Sequence, residues 1–127
     1  GGKVAAAICP WKCKDALFRF NEAADTRLNQ DGMAYDADSG DGTVYEYNFS
    51  RQNEGGCVMF CLEEAIHSRF CNNVHSRTIS PAQNPDALLS HNRYYVRKGI
   101  PFVRKNMDGG TYTQKADEII LLEEEER

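Results

Sequence analysis

Between Gly55 and Cys71 the chain carries three of its five cysteines behind the glycine pair Gly55-Gly56. Within that stretch Val58, Leu62, Ala65, Ile66 and Phe70 recur at the spacing of one apolar helix face. Cys57-x3-Cys61 also repeats the spacing of Cys9-x3-Cys13 near the N-terminus. Residues four apart share a helix face, so each pair presents two thiols in one direction. The repeated spacing predicts two helices stapled by disulfides, and it constrains the fold more than any other feature.

Read in order, Lys3 to Ile8 alternates as a short strand, and Pro10 suits a first helical position. The first helix is expected from Cys13 to Leu28, with Leu17, Phe20, Ala24 and Leu28 as its stripe and Gly32 closing it. Met33 to Asp36 and Thr43 to Phe49 predict a hairpin, with the aspartate- and glycine-rich segment 36–42 as its turn. That segment breaks the calcium-loop spacing, so it reads as a turn and no metal is expected there. The second helix should run from Cys57 to about Asn73. A long irregular connection, Ser76 to Asn92, is interrupted by Pro81 and Pro85. Strands are then expected at Arg93 to Val96, Ile100 to Arg104, Thr111 to Thr113 and Asp117 to Glu126. No internal repeat beyond the cysteine pairs is visible.

At 127 residues one core, and therefore a single domain over 1–127, is the expectation. The order β-α-β-β-α-β-β predicts an α+β sandwich, an antiparallel sheet with two helices on one face and the thiols at one end. Helices running the same way would join Cys9 to Cys57 and Cys13 to Cys61. An antiparallel pair would join Cys9 to Cys61 and Cys13 to Cys57. Cys71 is then left free and buried, in a core made by Leu17, Phe20, Leu28, Leu62, Ile66 and Phe70. No apolar run is long enough to span a bilayer.

Five cysteines and the acceptor triplet Asn48-Phe49-Ser50 favour a secreted protein. Net charge is −4, yet Arg93, Arg97, Lys98, Arg104 and Lys105 form a basic run without an acid. The binding expectation falls there, on Arg93, Arg97, Lys98 and His91, at the end of the long connection. The alternative is that this strand lies beside the acidic one at 117–126 and pairs with it.

The small size, the order of elements and Cys9, Cys13, Cys57 and Cys61 together resemble the killer-toxin-like effectors and toxins of fungi. The resemblance implies a secreted, disulfide-containing protein that binds a host or competitor macromolecule. It carries over no catalytic residue. Nucleic acid is not the favoured partner, and no cofactor is expected.

Three chemistries compete with that reading. Cys57 at a helix N-terminus, with His91 as base, would suit a cysteine nucleophile. Glu46 with a histidine and Arg97 or Arg104 would suit metal-free RNA cleavage. His67-x3-Cys71-x3-His75 offers donor types on one helix face, but structural zinc sites draw on short loops, so none is expected.

Overall fold

The structure, a computed structural model, describes residues 6–27, 32–60, 65–76, 87–97, 113–115 and 117–122. Among these residues every regular element is a strand, and none is a helix. One five-stranded sheet contains β1 (Leu17–Arg19), β4 (Val44–Glu46), β7 (Arg69–Cys71), β9 (Leu88–Ser90) and β11 (Thr113–Lys115). A second contains β2 (Glu22–Ala24), β5 (Phe49–Arg51), β8 (Val74–His75), β10 (Arg93–Arg97) and β12 (Glu118–Leu122). The third face is narrower: β3 (Tyr35–Asp36) beside β6 (Val58–Met59), with Ile8 bridged to Tyr35. Every pairing is parallel. The chain therefore crosses the faces in turn and returns one strand along, as in a parallel β-helix.

The coils share a local pattern. Leu17-Phe18-Arg19-Phe20-Asn21, Val44-Tyr45-Glu46-Tyr47-Asn48, Arg69-Phe70-Cys71-Asn72-Asn73 and Leu88-Leu89-Ser90-His91-Asn92 occupy equivalent places. The second residue of each turns inward, and Tyr45, Phe70 and Leu89 are fully buried. The fourth, Phe20, Tyr47, Asn72 or His91, has a φ between 54° and 58°. That left-handed residue bends the chain from the first sheet into the second, and costs a non-glycine residue about 1–2 kcal/mol.

The fifth residue is asparagine, and it offsets this cost. Asn21, Asn48, Asn73, Asn92 and then Asp117 lie 27, 25, 19 and 25 residues apart and stack as a ladder. Each side-chain oxygen accepts from the backbone N–H of the rung before, as Asn73 Oδ1 does from Asn48 at 2.8 Å. Each interior carboxamide also donates to a backbone carbonyl: Asn48 to Phe18, Asn73 to Tyr45, Asn92 to Phe70. These polar groups are buried and satisfied together.

Aromatic stacking fills the interior. Phe18 lies on Tyr45 with ring centroids 5.0 Å apart, and His75 lies between Phe70 (4.8 Å) and Tyr94 (5.8 Å). The hydroxyls of Tyr35 and Tyr45 donate to the carbonyls of Phe49 and Asp36, so two buried phenols reach partners at the corners.

The expected α+β sandwich is overturned. Leu17, Phe20 and Ala24 have helical spacing because strands of three residues separated by two-residue bends also place apolar residues three to five apart. Leu17 and Phe20 are exposed, and Phe18 and Ala23 turn inward instead. Of the expected core, Phe70 is buried and Ile66 partly so, while Leu28 and Leu62 lie outside the described residues. The disulfide staples are overturned with the helices. Cys13 and Cys57 are free thiols, and the Cys9 thiol donates to Asp36 Oδ2 at 3.6 Å. Cys61 lies outside the described residues; Cys71 is a buried free thiol at the end of β7. The 33–49 hairpin becomes β3, β4 and the start of β5, with no antiparallel pair among them. The strand expected over 100–104 and most of the connection after Ser76 also lie outside the described residues. No helix among the described residues is long and apolar enough to cross a membrane.

Candidate functional site

Two places on the solenoid gather chemistry. The first is the narrow face and its corner. Ile8 and Trp11 run beside Tyr35 and Asp38 on the next coil, and Lys14 beside Asp41. Strand alternation turns Tyr35 into the core and Asp36 to the other side, while Asp38 bridges Trp11 two residues on. The Cys9 thiol and the carboxylates of Asp36 and Asp38 each place an atom within 4.8 Å of the other two. Asp36 is 1% exposed, Asp38 partly exposed, and Ser39 Oγ donates to Asp38 Oδ1 at 3.0 Å. Trp11 is 63% exposed, with the Lys12 ammonium 4.7 Å from its ring centre. At the following corner His67 Nδ1 lies 2.9 Å from Asp41 Oδ1.

One thiol and two carboxylates supply three donors of mixed softness, one of them fully covered. The same set suits proton handling beside an aromatic surface.

The second place is the bend between the two larger sheets. A groove of about 400 Å³ is lined by Tyr47, Asn72, His91, Arg93 and Glu118 above the buried asparagine ladder. Arg93 Nε lies 3.4 Å from Glu118 Oε2 across the parallel pair β10 and β12. Hydrogen bonding to Tyr95, and then the Glu118 charge, hold the Arg93 guanidinium above its ordinary pKa.

The residues singled out in the sequence fall apart on this frame. His91 and Arg93 meet in the groove, Arg97 is exposed at the end of β10, and Lys98 lies outside the described residues. Cys57 is fully buried, with no helix behind it, and burial pushes its thiol pKa up. It belongs to the narrow face, whereas His91 stands at the bend between the other two. Glu46 pairs with Arg19 at 2.7 Å on the outer side of β4. Of the His67, Cys71 and His75 series, His75 is buried in the aromatic stack and His67 exposed at a corner, so no common ligand face exists. Asp36 and Asp38 are hidden in the sequence by the turn-like composition of 36–42, and Trp11, far from them along the chain, carries no local signal. The signal that marks them is the alternation Asp36-x-Asp38 directly after the apolar run Met33-Ala34-Tyr35.

A stack of parallel coils presents an extended surface on which such groups from successive coils are brought side by side. The comparisons narrow this further. No family model matches the chain. It is 38% identical over 105 residues to a lacto-N-biosidase of Bifidobacterium longum subsp. longum, covering 76% of the chain and 7% of that protein. It superposes on the native GH136 lacto-N-biosidase from Eubacterium ramulus with a TM-score of 0.89 and 61% identity, over 95% of the chain and 20% of that structure. The selenomethionine form of the same enzyme gives a TM-score of 0.85 and 59% identity, over 90% and 19%. The chain thus spans a fifth or less of the length of these relatives.

These likenesses overturn the resemblance to fungal effectors and killer-toxin-like proteins. They also overturn the expected role of an effector or toxin-like module, with its virulence association, that binds a host or competitor macromolecule, because the relatives are bacterial glycoside hydrolases. The small-hydrolase alternative was nearer in class, but with neither a ribonuclease nor a cysteine nucleophile as its chemistry.

Proposed function

We propose that this chain is a run of coils from a glycoside hydrolase with lacto-N-biosidase activity, and that its narrow face contributes to the catalytic cleft. The observation that carries the reading is the pairing of Trp11 with Asp38 on adjacent coils, beside the Asp36 carboxylate and the Cys9 thiol. Glycoside hydrolysis needs a carboxyl group at the glycosidic oxygen and a surface that holds the ring. Asp38 is the partly exposed member of the pair and takes the first role; the exposed indole of Trp11 takes the second. Asp36 is covered, so it acts through Asp38 as a positioning residue, setting its charge environment and orientation.

The roles separate in the full protein assayed for lacto-N-biosidase activity. Asp38→Asn should lower kcat by roughly a thousandfold or more, the scale of a lost acid–base group with its electrostatic share. Trp11→Ala should act mainly on KM. Asp36→Asn should leave measurable turnover with a displaced pH profile. Full activity in Asp38→Asn would remove this face from the catalytic cleft.

A further inference from the structure

The bend between the two larger sheets does work that the acidic face does not explain. Its left-handed residue projects outward on each coil and places Phe20, Tyr47, Asn72 and His91 in one exposed column. Neighbouring coils are about 4.8 Å apart, so the column spaces its groups at roughly the thickness of a stacked ring. Phe20 and Tyr47 already stack, centroids 5.9 Å apart and planes 20° from parallel, although they are 76% and 50% exposed. One Tyr47 face is thus covered by Phe20, and Tyr47 also lines the groove on the side of Asn72 and His91.

Two exposed aromatics in strained backbone are costly in a bend that asparagine or glycine fills more easily. The asparagine that follows offsets the bend itself, but it does not call for an aromatic side chain at the left-handed position. The ladder beneath is complete without them, since Asn48, Asn73 and Asn92 make their bonds through their own side chains and backbone. Among the described residues the Tyr47 hydroxyl, the Asn72 carboxamide and the His91 imidazole have no hydrogen-bond partner. The two formal charges in the groove, Arg93 and Glu118, face each other, so the groove carries little net charge. An aromatic face, unspent amide and imidazole groups and a volume of about 400 Å³ fit a small neutral polyhydroxylated ring.

We infer that this bend is a second carbohydrate site, distinct from the Trp11–Asp38 face. It holds one uncharged sugar residue stacked on Tyr47 and hydrogen-bonded by Asn72 and His91. The site binds and does not cleave. Its existence does not depend on Asp38 being catalytic.

The test uses the full protein titrated with lactose by calorimetry, in parallel with three variants. Tyr47→Gly and Asn72→Gly remove the binding groups while easing the left-handed backbone, so the melting temperature should hold or rise. Trp11→Ala removes the platform of the acidic face. The expected result is saturable binding that survives Trp11→Ala and weakens by roughly tenfold or more in Tyr47→Gly, as loss of a stacking anchor does. Asn72→Gly should weaken it less, and added salt should leave it unchanged. Binding unchanged in Tyr47→Gly, or no saturable binding in the parent protein, overturns the site. Binding lost in Trp11→Ala but kept in Tyr47→Gly assigns the sugar to the acidic face, which ends this inference and leaves the proposed function standing. A salt-sensitive preference for a sulfated disaccharide would overturn the neutral ligand class.

Discussion

His75 is the residue on which the interior's electrostatics turn. It is fully buried between Phe70 and Tyr94, its Nδ1 bonded to Ser50 Oγ, its Nε2 without a partner among the described residues. Burial holds its pKa down at about 3, against an ordinary 6.5, so the folded protein keeps the ring neutral. A depressed folded pKa means that stability is complete above the ordinary value and drains away as pH falls from about 6.5 towards 3. At pH 5 the loss from this one group should be about 2 kcal/mol. His75→Phe keeps a flat ring in the stack and removes the titration. The variant should be less stable at neutral pH, because Ser50 loses its partner, yet its stability should fall much less between pH 7 and pH 5. Denaturant midpoints at those two pH values decide the matter: equal slopes in parent and variant would show that acid sensitivity lies elsewhere.

At the scale of the element, the asparagine ladder fixes the bend and the strand register together. Asn73 is its middle rung, accepting from Asn48 and donating to Tyr45 and Asn92. Asn73→Ala strands the Asn48 N–H and the Tyr45 carbonyl in the interior, and should cost about 3 kcal/mol or more. Asn21 at the partly buried end donates to Arg19 and Asn48 only, so Asn21→Ala should cost about 1 kcal/mol. Thermal unfolding of both variants checks the ranking, and equal losses would contradict the ladder as a cooperative unit. Its signature was present in the sequence as Phe-Asn, Tyr-Asn, Asn-Asn and His-Asn, each two residues after an inward apolar side chain. It stayed illegible because the steps of 27, 25 and 19 residues share no period. Strands of two or three residues are also too short to display alternation. The strand character of Arg93 to Val96 and the pairing of Arg93 with an acidic neighbour were legible, since β-branched and aromatic residues and opposite charges announce both. The acidic face was not legible, because Asp, Gly and Ser at 36–42 carry the same composition as a hairpin turn. Trp11 is brought beside Asp38 only by the coil.

For the whole molecule, a solenoid makes stability a sum of coils and of contacts between neighbours, so its unit of change is one complete coil. Val44 is in register with Arg69, and the ladder step from Asn48 to Asn73 is 25 residues. Deleting 44–68 joins Thr43 to Arg69, sets Phe70 beneath Phe18 and Asn73 beneath Asn21, and keeps every later side chain on its face. Deleting 44–67 instead starts the same coil one residue early. It points Arg69 inward where Phe70 belongs, and sets Asn72 at the ladder position with Asn73 one residue past it. A one-residue slip exchanges the two faces of a strand, which buries charge and exposes the core. The full-coil deletion should therefore retain strand-type circular dichroism and a cooperative melt at a lowered temperature, and the 44–67 deletion should have neither. A closed α+β core would predict a different pattern, with both deletions unfolding alike because each removes irreplaceable elements. Similar melts for the two deletions would mean that neighbouring coils do not set one another's register.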